Sequence, residues 1–339
     1  MTQNSRRVKV LVTGATGFIG SHLVEALLRR DCDVIGLDRR SPYTDPIARH
    51  NARSFLQKPA FSLVVADLIA ANLASLVDGV DCVFHLAAVP GVRPSWDRFD
   101  GYVSANIEST GRLLSACAEA GVPRLVYASS SSVYGENSTA SREGDVAQPI
   151  SPYGVSKLAG EQLSLAYAKR PGSSLRVTAL RYFTVYGPRQ RPDMATGRIL
   201  AAALTGGQYT LYGDGAQRRE FTYVSDVIDA TIAAADVREN AAVVNVGGGT
   251  SVSMTDLIAL AREATGKPVP VKVTSEQFGD VTATEADLTL ARTLIGYQPK
   301  VDLRTGISRQ AEWLRQLPPE LLGRYISRLQ NEEVAACSI

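Results

Sequence analysis

The sequence predicts an α/β fold in which a parallel β-sheet carries helices on both faces. Short apolar runs, β-branched or rich in Leu and bounded by Gly, Asp or polar residues, are typical of buried strands. Amphipathic stretches separate several of these runs in the first half of the chain. Alternation of this kind is typical of βαβ units, whose crossovers are right-handed.

The first half of the chain supplies the elements of this pattern in order. Five short apolar segments predict strands, at residues 8–12, 33–37, 62–65, 82–86 and 125–128. Two longer amphipathic segments predict helices between them, at residues 19–30 and 106–120. Because both faces of a parallel sheet are covered, its strands are apolar throughout rather than alternating, as these segments are.

The second half is less regular and predicts a smaller lobe that threads back onto the sheet. Strand candidates lie at residues 177–182, 209–212 and 243–246, and helix candidates at residues 197–204, 225–234 and 254–265. From residue 315 the chain resembles a loosely attached tail with Pro318 and Pro319 as its hinge. We therefore expect a sheet domain over residues 1–182 joined by some later segments, a lobe over residues 183–316 and a tail over residues 317–339.

Composition argues against several classes of function. A formal net charge of +2 argues against nucleic acid as a main partner, because phosphate binding requires a concentrated basic face. No apolar run reaches membrane-spanning length and no signal-peptide core is present, so we expect no membrane partner and a cytoplasmic protein. The 4 cysteines and 3 histidines are scattered, which predicts neither disulfides nor a metal site.

The segment TGATGFIG, residues 13–20, follows the first predicted strand and opens the first predicted helix. Glycines allow a tight turn and a close approach of the backbone to a pyrophosphate, and the helix N-terminus supplies free N–H groups. The spacing is GxxGxxG rather than the commoner GxGxxG. The segment predicts a dinucleotide site, with a plain strand–helix turn as the alternative.

Asp38 ends the second predicted strand, where an acid binds the adenosine ribose hydroxyl in dinucleotide folds. A carboxylate there repels the extra phosphate of NADP and favours NAD, although Arg39 and Arg40 follow it and an arginine can accept that phosphate. The alternative for Asp38 is a helix cap or a turn. Asp67 follows the third strand and meets the adenine edge or, equally well, is a turn residue.

These motifs together with four others resemble a known family. The others are the pair Asp67–Leu68, HLAA at residues 85–88, the serine run at residues 129–132 and YGVSK at residues 153–157. The chain thereby resembles the extended short-chain dehydrogenases, and more narrowly the NAD-dependent sugar epimerase/dehydratase family, from about Val8 to Trp313. The resemblance implies a Rossmann-type doubly wound parallel sheet that binds NAD, and a smaller C-terminal α/β lobe that binds a nucleotide sugar.

The resemblance also implies which residues contact NAD. They are Gly14, Gly17, Phe18, Ile19, Gly20, Asp38, Asp67, Leu68, Leu86, Ala87, Ala88, Asn106, Tyr153, Lys157 and Tyr182.

Tyr153 and Lys157 carry the chemistry that this resemblance implies. Oxidation of a sugar alcohol needs a base for the hydroxyl proton, and a tyrosine is too weak a base near neutral pH. A lysine one helical turn away shares its face and favours the phenolate. Ser130 aligns with the hydroxyl that hydrogen-bonds the same sugar oxygen. His85 is interpreted as a buried structural histidine.

The serine run distinguishes the reactions within the family. Related 4,6-dehydratases carry an Asp-Glu pair where this chain has Ser131 and Ser132, and UDP-glucuronate decarboxylases carry a Glu in the second place. Without a carboxyl group there, both eliminations lose an expected participant. We therefore expect 4-epimerisation, in which C4 is oxidised to a ketone and reduced again from the other face.

The segment RYFTVYGPRQRPDMA, residues 181–195, resembles that of UDP-glucuronate 4-epimerases, as does Gly91–Arg93. By this resemblance Arg191 and Thr184 hold the C6 carboxylate of a uronate, helped by Ser131 and Ser132. We expect these four residues also to hold the carboxylate so that its bond to C5 does not align with the C4 carbonyl, which would suppress loss of CO2. On composition alone, Arg189 and Arg191 would be solvated loop residues.

Residues 213–221 resemble the segment that holds the nucleotide diphosphate, with Arg219 at the phosphate-contacting position, whose alternative is a surface turn arginine. Gln277 stands where many relatives carry an arginine, and Asp280 aligns with a uridine ribose contact. The full set of substrate-binding residues implied by the resemblance is Gly91, Arg93, Ser130, Ser131, Ser132, Tyr153, Thr184, Arg191, Leu211, Arg219, Gln277 and Asp280.

Three alternatives to a UDP-glucuronate 4-epimerase stay open. One is a UDP-glucose or UDP-N-acetylhexosamine 4-epimerase, for which Arg191 would be superfluous. Another is a UDP-glucuronate decarboxylase, which Ser132 disfavours. A third is a non-catalytic NAD-binding scaffold, which the presence of Tyr153, Lys157 and Ser130 disfavours. By analogy with the family, residues 106–120 and 153–168 are expected to pair two copies into a homodimer.

Overall fold

The computed structural model describes residues 6–136, 139–275 and 281–336. Within these ranges twelve strands form three sheets. The strands are β1 (Lys9–Thr13), β2 (Asp33–Asp38), β3 (Phe61–Val65), β4 (Cys82–His85), β5 (Arg124–Ser130), β6 (Arg176–Tyr182), β7 (Thr184–Tyr186), β8 (Tyr209–Tyr212), β9 (Arg218–Tyr223), β10 (Ala241–Val246), β11 (Ser251–Ser253) and β12 (Val271–Thr274).

The helices alternate with the strands in the first half and cluster in the second. They are α1 (Phe18–Leu28), α2 (Pro46–Ala52), α3 (Leu73–Val77), α4 (Pro94–Asp97), α5 (Phe99–Tyr102), α6 (Ser109–Glu119), α7 (Pro152–Lys169), α8 (Ala195–Thr205), α9 (Val224–Ala233), α10 (Met254–Thr265), α11 (Thr289–Ile295), α12 (Leu303–Arg315) and α13 (Pro319–Ala336). A π-helical segment, Val103–Glu108, leads directly into α6.

The main sheet has the order β10-β6-β5-β4-β1-β2-β3, and all its neighbouring strands are parallel. This is the Rossmann-type doubly wound sheet predicted from the sequence. The chain winds outward from β1 in one direction and then, from β4, in the other. The point between β1 and β4 where this order reverses is where such sheets bind ligands, beyond the carboxyl ends of the strands.

Successive residues of β1 enter opposite layers of the core. Val10 and Val12 pack in one apolar cluster with Leu23 of α1 and Val227 of α9. Leu11 packs in another, which includes Leu113 of α6. Side chains of a strand alternate between the two faces of a sheet, so helices on both faces are required to bury this apolar strand.

The smaller sheets lie among the later elements. One has the order β11-β9-β7, and the other pairs β12 with β8 in parallel. Helix α8 packs against α10, α12 and α13. Strand β10 returns to the main sheet beside β6, as the prediction of later segments threading back requires.

The prediction of a loosely attached tail after residue 315 is wrong for most of this segment. Helix α13 packs against α8, and Leu321, Tyr325 and Leu329 are buried in the main core cluster. These three residues are spaced by four, which places them on one helical face. The proline pair that suggested a hinge instead begins a helix, because proline is well tolerated in a first helical turn.

In the described ranges, no helix combines the length and the hydropathy needed to cross a bilayer.

Candidate active site

A cleft of about 360 Å³ lies at the carboxyl edge of the main sheet, over the β1–β4 reversal point. Its walls come from the glycine loop, the ends of β2, β4 and β5, helix α7 and the loop before α8. Of the residues expected to contact NAD, fourteen line this cleft: Gly14, Gly17, Phe18, Ile19, Gly20, Asp38, Asp67, Leu68, Leu86, Ala87, Ala88, Tyr153, Lys157 and Tyr182.

The glycine loop has a geometry that side chains would block. Gly14 has φ +73°, and its N–H donates to the Leu37 carbonyl at 2.7 Å. A Cβ on Gly20 would lie 2.0 Å from the Gly14 oxygen, which is far inside contact distance. Gly17 precedes α1 as its N-cap without a capping side chain. The first N–H groups of α1 are therefore available for an anion.

Asp38 ends β2 and is held by backbone donors. Its Oδ2 accepts the Thr16 N–H at 3.0 Å and its Oδ1 accepts the Arg40 N–H at 2.9 Å. Arg40 approaches the same carboxylate at 3.9 Å, and Arg39 approaches Asp67 at 3.9 Å. Each carboxylate oxygen can accept more than one hydrogen bond, so Asp38 can serve both the loop and a ribose hydroxyl.

The cleft fits NAD on three counts. The glycine turn presents backbone rather than side chains to the cleft, and a Cβ on Gly20 would lie 2.0 Å from the Gly14 oxygen. A helix N-terminus faces the cleft, which suits a pyrophosphate. A buried carboxylate stands at the end of β2, where the adenosine ribose is held in this kind of fold.

Asn106 is one expected NAD contact that does not line the cleft. Its side chain accepts the Val89 N–H at 2.7 Å and donates to the Val89 carbonyl and to Ser156 Oγ. Both N–H donors of the amide are used by these partners, and the side chain is buried. Asn106 therefore supports the cleft indirectly, because Val89 itself is a lining residue.

His85 joins the glycine loop to the helical layer. Its Nδ1 lies 2.8 Å from Thr13 Oγ1 and its Nε2 lies 3.0 Å from Thr110 Oγ1. The Thr110 hydroxyl donates its proton to the Asn106 carbonyl, so it accepts from Nε2–H, and Thr13 donates to Nδ1. Burial lowers the His85 pKa to about 3. The neutral, structural histidine predicted from the sequence agrees with this geometry.

Tyr153 lies in the first turn of α7, facing the cleft. Ser151 caps the helix by accepting the Gly154 N–H at 3.1 Å, and Ser95 Oγ accepts the Tyr153 N–H at 3.1 Å. Burial raises the pKa of the Tyr153 phenol, whereas its hydrogen bond with Ser130 and the charge of Arg191 lower it. The structure thus places Ser130 and Arg191 near the Tyr153 phenol.

Lys157 follows Tyr153 by one turn of α7 and is buried. Burial lowers its pKa to about 7, and the charge of Glu161 opposes this shift. Its ammonium lies 4.4 Å from the centre of the Tyr127 ring, a cation–π contact. Glu161, one further turn along, forms a bidentate pair with Arg181 at 2.7 and 3.1 Å. A charged network therefore lies directly beneath the Tyr153–Lys157 pair.

Arg191 also lines the cleft, although it lies in the loop before α8. Its guanidinium forms a bidentate pair with Asp193, with Nε to Oδ1 at 3.0 Å and Nη2 to Oδ2 at 2.7 Å. The Arg191 side chain is 31% exposed. A cation and the Tyr153 phenol therefore share one cleft, which suits an anionic group near the reacting carbon.

The chain matches the family described as "NAD dependent epimerase/dehydratase family" over residues 10–247.

The chain belongs to the NAD-dependent epimerase/dehydratase family.

Relatives and solved structures agree with this assignment. The chain is similar to YtcB of Bacillus subtilis (strain 168), named as an uncharacterized UDP-glucose epimerase, with 40% identity over 91% of this chain and 99% of that protein. It is similar to UDP-glucuronate 4-epimerase 4 of Arabidopsis thaliana, with 35% identity over 92% of this chain and 76% of that protein. Among solved structures, UDP-glucuronic acid 4-epimerase from Bacillus cereus in complex with UDP-glucuronic acid and NAD has 40% identity and a TM-score of 0.87, covering 92% of this chain and 100% of that chain.

These findings confirm the family, the fold class and the NAD cofactor that the sequence motifs predicted.

The other expected substrate contacts within the described residues do not line the cleft. Gly91 has φ +109° and accepts the Tyr102 hydroxyl on its carbonyl at 2.9 Å. The Arg93 guanidinium stacks 4.2 Å from the centre of the Tyr212 ring. Thr184 lies in β7 beside Phe221 of β9.

Ser131 and Ser132 form a short 3-10 turn after β5, next to Ser130. Leu211 is buried in β8, and half-buried Arg219 donates from Nη1 to the Arg218 carbonyl at 2.8 Å. Gln277 and Asp280 lie outside the described residues.

The loop that carries Arg191 has anchors that the sequence analysis did not identify. Arg189 has φ +67° and pairs with Glu25 of α1 at 2.6 Å. His22 of α1 donates a hydrogen bond from Nε2 to the Pro188 carbonyl at 2.9 Å. The Gln190 side chain is buried and accepts the Gly197 N–H and a Gln310 N–H. No local motif marks these contacts, since Glu25 and Arg189 are 164 positions apart.

Several cleft residues were likewise not predicted. They are Leu37, Arg39, Arg40, Ala66, Val89, Pro90, Ala105, Ser109, Ala128 and Ser129. Most directly adjoin a recognised motif. Extending each motif by two or three residues would have found them, because the strand ends meet at one edge of the sheet.

Proposed function

We propose that this protein is an NAD-dependent UDP-glucuronate 4-epimerase, which interconverts UDP-glucuronate and UDP-galacturonate. One observation carries the choice of substrate: the cleft that holds Tyr153 also presents the Arg191 guanidinium. A neutral C6 hydroxymethyl group needs no cation, whereas a C6 carboxylate does. The relatives named as UDP-glucuronate 4-epimerases support this choice.

In the proposed reaction Tyr153, as phenolate, takes the proton of the C4 hydroxyl. Ser130, which lies near the Tyr153 phenol, donates a hydrogen bond to the same sugar oxygen. Lys157 lies one turn away and lowers the energy of the phenolate by its charge. Bound in the cleft, NAD would supply the hydride chemistry at C4, both for the oxidation and for the reduction from the opposite face. Tyr153 then returns the proton.

Arg191 has a second duty in this proposal. The 4-keto uronate is a β-keto acid, and it loses CO2 when the C5–C6 bond aligns with the carbonyl π system. Arg191, Thr184, Ser131 and Ser132 are proposed to hold the carboxylate away from that alignment. The hydroxyl groups at positions 131 and 132 supply no carboxylic acid or base, which disfavours dehydration and catalysed decarboxylation.

The nucleotide is proposed to lie against the smaller sheets. Arg219 of β9 is the cation expected to meet the diphosphate, and Leu211 of β8, Gly91 and Arg93 are proposed as further substrate contacts. Gln277 and Asp280 are proposed to complete this contact. In the proposed domain division, residues 1–182 with some later segments bind NAD, and residues 183–316 mainly bind the UDP-sugar. Residues 317–339 form a C-terminal segment.

A UDP-glucose 4-epimerase is the second candidate, and one observation favours it. Arg191 is already paired with Asp193, so the charge at the C6 end of the cleft is partly neutralised. The similarity to a protein named as a UDP-glucose epimerase points the same way.

Proton NMR of the products decides between these candidates. Purified enzyme with NAD and UDP-glucuronate is expected to give UDP-galacturonate without net NADH and without UDP-xylose. Conversion of UDP-glucose alone would transfer the assignment to the second candidate. UDP-xylose as the main product would make the protein a decarboxylase. Absence of turnover on every UDP-sugar, with NAD bound, would support a non-catalytic protein.

A homodimer is proposed through α6 and α7. A shallow groove of about 660 Å³ lies between these helices and α3, and its lining includes Ala116, Leu163 and Tyr167. A second copy of the chain is the proposed occupant, as the family resemblance implies. A dimer mass by light scattering at micromolar concentration is expected, and a monomer mass would contradict it.

A cytoplasmic location is proposed from the cysteines. Cys32, Cys82 and Cys117 are free and buried, as is usual for proteins of reducing compartments.

A further inference from the structure

Asp193 is unexplained by the proposed reaction, although it makes the closest charged contact of Arg191. Both Asp193 oxygens are used, and the two N···O distances are 3.0 and 2.7 Å. This is the fork geometry of a strong charge-assisted pair. The residues are only two positions apart, so the pair is formed within one loop.

The pair uses one edge of the guanidinium and leaves another. Arg191 carries five N–H donors, and Asp193 takes the one on Nε and one on Nη2. Three donors remain, two on Nη1 and one on Nη2. One donor on Nη1 and the remaining donor on Nη2 form the end-on fork, which can bind a second carboxylate bidentately while Asp193 stays in place.

Asp193 stands on a fixed support. It directly precedes Met194, the N-cap of α8, and the Met194 N–H donates to the Arg191 carbonyl at 3.2 Å. Gln190, on the other side of Arg191, is buried and bonded to the Gly197 N–H at 3.1 Å. Both ends of the segment are therefore tied to α8. A carboxylate mounted in this way can fix the plane of a long, flexible arginine side chain.

We propose that Asp193 is a positioning residue, which holds the Arg191 guanidinium side-on so that its end-on fork receives the C6 carboxylate of the substrate. The proposal rests on the proposed uronate specificity. It assigns to Asp193 a share in suppressing decarboxylation, because the orientation of Arg191 sets the orientation of the carboxylate.

The chemistry defines the signature to measure. When the carboxylate turns, the C5–C6 bond breaks, its electron pair passes into the C4 carbonyl as an enolate, CO2 leaves, and C5 takes up a proton from water as the ketone re-forms. The products are a UDP-4-keto-pentose or, after reduction at C4, a UDP-pentose. A change that merely loosens the fold would reduce all products in proportion. A misoriented Arg191 would raise the pentose share.

The experiment compares Asp193→Asn with the wild type on UDP-glucuronate, and measures kcat, KM and the pentose-to-epimer ratio by NMR. Asparagine keeps the shape and one acceptor but removes the charge. We expect about a tenfold fall in kcat/KM, which corresponds to the loss of one charge-assisted hydrogen bond, and a severalfold rise in pentose share. Asp193→Glu is expected to restore part of both.

Two controls separate this role from others. Glu312→Gln removes the acidic partner of Arg315 in an exposed pair on α12, and is expected to change neither readout. In an Arg191→Lys background, Asp193→Asn is expected to add little, because a residue acting through Arg191 shows non-additive effects.

Three outcomes would overturn the proposal. A lower KM in Asp193→Asn would show that Asp193 competes with the substrate carboxylate. An unchanged pentose share would show that it does not orient Arg191. Full additivity with Arg191→Lys would show that it acts elsewhere. The substrate of the wild type is measured before any variant. If the wild type converts UDP-glucose but not UDP-glucuronate, the proposed function itself fails.

Discussion

The two halves of the cleft differ in how they are built. The cofactor half consists of consecutive residues at strand ends and at the start of α1, such as the glycine loop and the segment after β4. The half proposed for the sugar joins a first-turn residue of α7 and the loop before α8, and the expected contacts on the smaller sheets do not line it. Fourteen of fifteen expected NAD contacts line the cleft, but of the twelve expected substrate contacts Tyr153 and Arg191 do, within the described residues.

The difference shows what each kind of binding needs. A pyrophosphate is held by backbone N–H groups, so a short motif with the right turn suffices. A sugar is held by side chains from distant segments, and their meeting depends on loops. The Arg191 loop is fixed by Glu25, His22 and Tyr325, none of which belongs to a sugar-binding motif.

The largest expected effect is on kcat and comes from Tyr153, which lies where the two halves of the cleft meet. Tyr153→Phe removes the proton-transferring hydroxyl and keeps the ring, so kcat should fall about 10³-fold, as for loss of a general acid–base group. NAD affinity, measured by calorimetry, should change little, because the phenol is one of many contacts. Activity within tenfold of the wild type would remove Tyr153 from the proton-transfer role.

Lys157→Met should lower kcat about 10²-fold, since the phenolate loses its neighbouring cation. It should also raise the free energy of unfolding of the NAD-free protein. Burial lowers the Lys157 pKa from 10.5 to about 7 in the folded state.

The sign of this effect depends on pH. Between pH 7 and 10.5 the unfolded state binds more protons than the folded state, so stability of the wild type rises with pH in that window. Below pH 7 the buried ammonium destabilises the fold fully. The gain from Lys157→Met, measured by urea unfolding, should therefore be larger at pH 6 than at pH 10, and a gain independent of pH would contradict the shift.

One added methyl group in the glycine loop is expected to weaken NAD binding. Gly20→Ala places a Cβ 2.0 Å from the Gly14 carbonyl, so the loop must move. Strain of this kind costs about 1–3 kcal/mol, which predicts a loss of NAD affinity of about 10- to 100-fold by calorimetry. Gly323→Ala in α13 is the matched control, because a Cβ there meets no atom within 4 Å. Equal NAD affinities of the two variants would contradict the role of the glycine loop in binding NAD.

The smallest expected effect concerns the loop that carries Arg191 and separates substrate binding from NAD binding. Glu25→Gln removes the ionic partner that holds Arg189 at φ +67°, and so loosens the loop that carries Arg191. KM for UDP-glucuronate should rise about three- to tenfold, with NAD affinity unchanged, since the pair is only partly buried. A loss of NAD affinity instead would mean that α1 itself had shifted.

The sequence predicted regular elements better than their partnerships. β6 was predicted at residues 177–182 and is observed at Arg176–Tyr182, and α10 was predicted at its observed bounds, Met254–Thr265. The tail was predicted wrongly, since nothing in residues 315–339 alone shows that α8 offers an apolar face. Asn106 was expected to contact the cofactor; its side chain does not line the cleft and bonds to the backbone of Val89, which does.

By itself the sequence determined the parallel sheet, the glycine loop, and the Tyr153–Lys157 pair. These depend on periodicity and on spacings within single elements, which local sterics and hydrogen bonding fix. Only the tertiary structure decided that His85 bridges Thr13 and Thr110, and that Glu25 anchors Arg189. It also decided that Asp193 occupies one edge of Arg191. Such contacts depend on side-chain geometry and on segments far apart in the chain, so no local pattern encodes them.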